Sequence, residues 1–323
     1  MKIYFVLTAI LVMWALTIPF AVNTACKKST LTETTTTTEV TSQRNTLKEE
    51  TETVSVLKSS TDAVTEVALF DYIVGTVAGE MPASFNEEAL KAQAVASYTY
   101  AKYLKENNGN NTVISDSPSV HQSYIDKETQ KEKWGEYYDE YRSKIEAAVN
   151  DITGEYLTFD GKTAMTVFHA LSENETNSAE EIWGNAVPYL VSVEAPSEES
   201  AKKEFDFTEE EFRRLFKENG AVTFTQADSK KWAKITEKSD NGYIRKLAVG
   251  NKTFYSAEVA DILSLPSSNF TAKYKDGYFT FTAYGKGHGV GMSQYGAEYM
   301  AQNGKDYAEI LAHFYPGTAL VKE

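Results

Sequence analysis

The stretch Asp71–Leu104, DYIVGTVAGEMPASFNEEALKAQAVASYTYAKYL, constrains this chain more than any other. Leu90, Ala94, Ser97, Tyr98, Ala101 and Leu104 recur at helical intervals, so one face of a helix of roughly five turns is small or apolar and able to pack closely. Pro82 stops a preceding helix from running through, and Ser84 followed by Glu87 has the spacing of a capping box. Between the two helices stands Glu80, set among Val77, Ala78, Met81 and Pro82. Desolvation at such a place raises a carboxyl pKa and suits a general acid. Spacing alone favours a solvated glutamate at the end of a first helix whose apolar face is Tyr72, Ile73 and Val77. A tightly packed helix just after Glu80 would hold the carboxylate still, as catalysis requires. Lys91, one turn into that helix, could face the same cleft, although by itself it reads as an ordinary surface lysine.

A second constellation is GKGHGVGMSQYGAEYMAQNG, residues 285–304. Glycines alternate at 285, 287, 289 and 291, after which Ser293 and Gln294 open a helix carrying Tyr295, Tyr299 and Met300. No Lys-Ser/Thr ends the run and the third glycine has the wrong offset, so it is neither a Walker loop nor a dinucleotide fingerprint. Alternate glycines strip one face of a segment bare, so that another backbone or a ligand can come close. His288 and Gln294 would then be the polar groups facing that space. The competing reading is a structural crossover with His288 satisfied by a backbone partner, and the pattern does not choose between them.

The N-terminus opens with an apolar run, residues 3–25, long enough to cross a bilayer. Cys26 follows it, but Asn23 occupies the position where a lipobox needs a Leu-like residue, so a plain anchor over residues 1–28 is expected rather than lipidation. Residues 29–62 are Thr/Ser/Glu-rich and too poor in apolar residues to fold, which predicts a disordered tether. Residues 63–323 are the folded body. A net charge of −14 argues against a nucleic-acid partner. The single cysteine excludes an internal disulfide and a Cys-based zinc cluster. His121, His169, His288 and His313 are widely spaced with no H-E-x-x-H pattern, which disfavours a metal hydrolase, and no cofactor is expected.

Within the body, Tyr137–Val149 reads as a helix that Gly154 ends. Asp160-Gly161, Asn241-Gly242 and Asp276-Gly277 mark hairpins, and the apolar runs 156–159, 163–170, 221–225, 232–236 and 243–249 read as strands. A strand is also expected after Pro188. Thr208 and Glu211 cap a helix with Phe212, Leu215 and Phe216, and a short helix spans Ser256–Leu263. The class is α+β: antiparallel hairpins with helices packed at the two ends of a single body. Trp134, Trp183 and Trp232 are either sugar platforms or, more commonly for tryptophan, core anchors.

The motifs GEMPASFNEEALKAQAVASYTYA and GHGVGMSQYGA together resemble the stage II sporulation protein D family, which includes wall-amidase enhancers, and FHALSENETNSAEEIWGNAVPYL resembles its central segment. The resemblance implies a peptidoglycan-binding catalytic domain over residues 63–323, a lytic transglycosylase of sporulation engulfment held at the cell membrane with its body outside the cytoplasm. Its implied substrate is peptidoglycan glycan strands stripped of stem peptides, and its implied partners are a cell-wall amidase and a membrane scaffold protein. The family's catalytic glutamate matches Glu80 and an important lysine matches Lys91. His288, Gln294 and Tyr295 are added as sugar-site residues from the position of the second motif. Tyr98 stands where the family usually has Arg, and cysteines of some relatives' middle segment are absent here, with His121 nearby, so a zinc site is not carried over. The alternative is a non-catalytic wall-binding module that positions or activates an amidase.

Overall fold

The computed structural model describes residues 52–323 except Asn110. The expected placement at the cell membrane through a single-pass anchor is corrected: among the described residues no helix is long and apolar enough to cross a bilayer. The run at 3–25, Cys26 and most of the Thr/Ser/Glu-rich stretch lie outside the described residues. Strand β1 (Thr53–Lys58) nevertheless falls inside the stretch expected as tether, pairing antiparallel with β2 (Ala63–Ala68) and parallel with β3 (Val113–Ser115).

The chain folds as α+β. Helix α1 (Leu69–Glu80) stops at Glu80, where Met81 turns extended ahead of Pro82. Helix α2 (Glu87–Asn108) follows, capped by Asn86 rather than Ser84: the Asn86 side chain accepts from Glu88 N at 3.0 Å. The displacement has a local cause, because Phe85 N donates to Pro82 O and commits Ser84 to a turn. Every residue of α2 from Ala92 to Thr99 is buried, so the helix is enclosed on all sides rather than along one face. Around it pack α1, α4 (Tyr138–Asp151), α8 (Gln294–Gln302), α9 (Tyr307–Phe314) and β4 (Glu155–Phe159). Helix α3 (Lys127–Trp134) precedes α4. Strand β5 (Lys162–Thr163) pairs with β4 through the Asp160-Gly161 turn, and β16 (Ala319–Lys322) covers the other edge of β4.

A second apolar cluster forms from α6 (Glu209–Glu218), α7 (Ser256–Leu263) and two three-stranded sheets. One sheet is β10 (Ala233–Lys238), β11 (Ile244–Val249) and β12 (Lys252–Tyr255); the other orders β13 (Asn269–Lys275), β14 (Tyr278–Tyr284) and β9 (Lys202–Thr208). Phe212 stacks on Phe279 (4.0 Å between rings) at its centre. The Thr208–Glu211 capping box and the three Asp/Asn-Gly hairpins form as the sequence requires. Residues 221–225 and those following Pro188 are irregular, whereas β9 and α3 went unread: KKEFDFT becomes a strand by pairing with β14, and KETQKEKW has too few apolar residues to betray a helix.

The segment between the two clusters carries β6 (Phe168–His169), β7 (Asn174–Glu175), α5 (Ala179–Trp183) and β8 (Glu194–Ala195). The glycine-rich motif runs alongside it and ends in β15 (Met292–Ser293), which pairs parallel with β6. Buried Arg245 of β11 ties the segment to the second cluster, donating to Asn177 Oδ1 and Asn269 Oδ1, each at 2.8 Å.

Candidate active site

Glu80 reaches its surroundings because Gly75 and Gly79, one turn apart on α1, leave no side chain between the helix and residues 123–125. A Cβ at Gly75 would lie 2.4 Å from Tyr124, and one at Gly79 would lie 2.7 Å from Ser123 Oγ. The loop therefore presses on the helix and sets the Ser123 N–H on Glu80 Oε1. On the other carboxyl oxygen, Gln294 Nε2 donates at 3.3 Å across 214 residues of sequence, so the two motifs meet. Burial pushes the Glu80 carboxyl above the ordinary glutamate range; the Ser123 and Gln294 donors and the ammonium of Lys133 pull against it. Lys133, from α3, donates to Ala78 O at 3.0 Å, and burial of its ammonium lowers its own pKa.

A cavity of about 340 Å³ opens on this carboxyl group, lined also by Tyr100, His121, Phe168, His169, Lys286 and His288. His169 is buried, its Nδ1–H donating to Val290 O (3.2 Å) while Nε2 accepts from Ser172 Oγ (2.7 Å). That pattern fixes the tautomer, because a carbonyl can only accept. Burial lowers its pKa to about 3, and lowers that of His288 to about 4, so both are neutral at pH 7. His288 accepts from Val290 N at Nδ1 (3.0 Å) and packs on Trp183 with 5.2 Å between rings. His288 thus has a backbone partner and also lines the cavity. Among the described residues, no group of three or more His, Cys, Asp or Glu is arranged to hold a metal ion. His313 lies elsewhere, bonded to Glu194 O.

The alternate glycines make room for residues 167–177, Gly285 and Gly291 for backbone, Gly287 and Gly289 for the side chains of His169 and Asn177. A Cβ at Gly285 would meet Leu171 O at 2.4 Å, and one at Gly291 would meet Val167 O at 2.0 Å. All four glycines have positive φ. The motif thus clasps residues 167–177, and that contact forms the wall of the cavity facing Glu80.

Glu80, His288 and Gln294 come together; Lys91 and Tyr295 do not line this cavity. Lys91 sits in a cage of Glu87 (2.9 Å), Glu88 (3.1 Å) and Asp151 (2.9 Å), joining α2 to α4. Burial works against its charge, but hydrogen bonds to the three carboxylates outweigh this and raise its pKa. Tyr295 packs edge-on against Phe85 (5.2 Å). Tyr98, at the Arg position, also faces away: its hydroxyl donates to Glu323 and its ring meets Tyr156. It borders two larger cavities, about 640 and 600 Å³, that share no lining residue with the one at Glu80. Trp134 and Trp232 are core residues. Sequence reasoning missed Ser123, Lys133 and Gln93; the glycines of GTVAGE and a lone glutamine amid KAQAVAS were the available signals.

The Stage II sporulation protein family model matches residues 57–159, the part that carries Glu80. The stage II sporulation protein D of Bacillus amyloliquefaciens is 34% identical over 279 residues, covering 84% of this chain and 79% of that protein. The chain belongs to the stage II sporulation protein D family. The Bacillus subtilis member is 33% identical over 285 residues, 85% of this chain and 80% of that protein. The chain is also similar to the Bacillus subtilis amidase enhancer, 27% identical over 303 residues, 76% of this chain and 40% of that protein.

Proposed function

We propose that this member of the family acts on the bacterial cell wall in sporulation as a lytic transglycosylase. It cleaves the bond from N-acetylmuramic acid to N-acetylglucosamine in peptidoglycan glycan strands, preferring those stripped of stem peptides. Glu80 in its protonated form donates to the glycosidic oxygen as the C1–O bond breaks. The resulting carboxylate takes the proton of the muramyl C6 hydroxyl as O6 bonds to C1, leaving a 1,6-anhydro end. Water is not consumed, and Glu80 returns to its starting state. What carries this reading is that, among the described residues, Glu80 is the one carboxylate lining its cavity, whereas ordinary retaining and inverting glycosidases require two at defined separation. Burial favours the protonated form, and the donors from Ser123 and Gln294 support the carboxylate between the two transfers. His288, neutral and lining the cavity, and Gln294 contact the sugar. Release of product should fall as pH rises through the raised Glu80 pKa, because the acid form is required first.

The test is digestion of purified, peptide-stripped glycan strands by the full chain, with mass spectrometry of the ends. Anhydromuramyl ends should appear with wild type and fall by at least about a hundredfold with Glu80→Gln, as expected on loss of a general acid. Equal release by both removes Glu80 from the reaction. Similarity to an amidase enhancer supports a second reading, in which the protein binds the wall and stimulates an amidase partner. Binding to glycan and faster amidase turnover without any anhydro ends would select it.

A further inference from the structure

Gln93 is a buried polar group that the proposed chemistry leaves without a task. It is fully buried in the middle of α2 and does not line the cavity. An amide taken out of water costs free energy unless its donors and acceptor find partners. Gln93 Nε2 donates to Ser97 Oγ one turn further along (3.0 Å), which leaves Oε1 turned toward α8. There it accepts from Gln294 Nε2 at 3.3 Å, and the same nitrogen donates to Glu80 Oε2 at 3.3 Å. The two hydrogens of the Gln294 amide are thus divided between Gln93 and Glu80. With Glu80 ionised, an inverted Gln294 would aim its oxygen at two acceptors at once, so the carbonyl of Gln93 selects which end of Gln294 the carboxylate meets.

We propose that Gln93 is a positioning residue that holds the Gln294 amide nitrogen on Glu80. The Ser123 N–H is a backbone donor fixed by the loop; the Gln294 donor is a side chain and depends on what stands behind it. The other titratable groups facing Glu80 are Lys133 from α3, Tyr72 on its own helix, and the cavity-lining Tyr100, His121, His169, His288 and Lys286. None of these hydrogen-bonds to Gln93. The catalytic meaning of this device rests on Glu80 being the acid/base of the proposed reaction; its effect on the carboxyl group does not.

The experiment follows the Glu80 carboxyl carbon by NMR in the full chain labelled with ¹³C-glutamate, the resonance being the one absent from Glu80→Gln. Gln93→Met keeps length and volume and removes the acceptor, so the Glu80 titration midpoint should move up, with a proton affinity about tenfold higher, as loss of one hydrogen bond to a carboxylate implies. In a Gln294→Leu background, Gln93→Met should add nothing. Ser97→Ala, which frees the other end of Gln93, should move the midpoint the same way by less. An unmoved midpoint in Gln93→Met overturns the proposal, as does an equal displacement with and without Gln294. Should Gln93→Met fail to fold, an unmoved midpoint in Ser97→Ala overturns it alone. A midpoint that moves as predicted in a protein that releases no anhydromuramyl ends at any pH leaves Gln93 its role and removes the transglycosylase reading.

Discussion

Replacing Gly291 with alanine tests whether the glycine-rich motif exists to clasp a protein segment. A Cβ there would stand 2.0 Å from Val167 O and 3.0 Å from its carbonyl carbon. Both are backbone atoms, so no side chain can swing aside. Restoring ordinary contact at 3.4 Å needs a shift of about 1.4 Å in one backbone relative to the other. That shift breaks the bond from Met292 N to Val167 O (3.3 Å) and opens the parallel pairing of β15 with β6. Gly291 also sits at φ +71, where a side chain costs about 1–2 kcal/mol. Overpacking adds about 1–3 kcal/mol, for a total of about 3 kcal/mol. Gly161, in the β4–β5 turn at φ +74 with nothing within 4 Å of where a Cβ would stand, isolates the conformational part. Gly161→Ala should therefore lose only about 1–2 kcal/mol. In thermal unfolding the two variants should differ by roughly 4–8 °C, Gly291→Ala being the lower. Equal losses would refute the claim that backbone approach, rather than left-handed geometry, demands glycine at 291.

Lys91→Met should destabilise the fold by about 1–2 kcal/mol, since Glu87, Glu88 and Asp151 are left facing one another and partly solvated. Urea unfolding measures this; unchanged stability together with lost glycan cleavage would put Lys91 in the reacting site instead. His169, held neutral with a folded pKa of about 3 against about 6.5 in the unfolded chain, makes folding pH-dependent. Below pH 6.5 the unfolded chain binds a proton that the folded one refuses, so stability falls as pH drops, by up to about 1.4 kcal/mol per pH unit. Between pH 6.5 and 4.5 His169→Gln should lose that share of the slope and keep the share of His288, whose pKa is lowered to about 4; parallel losses in the two proteins contradict it.

Much of the local structure was legible because it has local causes. Pro82 ends α1 at Glu80, and each Asp-Gly or Asn-Gly step places a glycine of positive φ in its hairpin turn. The pairing of Glu80 with the glycine-rich motif was also legible, through the co-occurrence of two motifs rather than any spacing between them. What stayed hidden depends on tertiary contact. Ser84 satisfies the capping-box pattern, but a turn closed on Pro82 O claims it and Asn86 caps the helix. Lys91 and Tyr98 lie on the same helix as Gln93, yet only the helix's rotation within its packing decides that Gln93 turns toward Gln294 while Lys91 meets Asp151 and Tyr98 meets Glu323. The glycines signalled a close approach, and only the fold shows that the visitor is residues 167–177.

Whether one carboxyl group moves a proton out and back without water, as proposed, is read by running the digestion in H₂¹⁸O. The wild-type protein should give 1,6-anhydromuramyl ends free of ¹⁸O, and Glu80→Gln should lose them. Ends that carry ¹⁸O, or ¹⁸O-free ends formed equally well without the Glu80 carboxyl group, would contradict it.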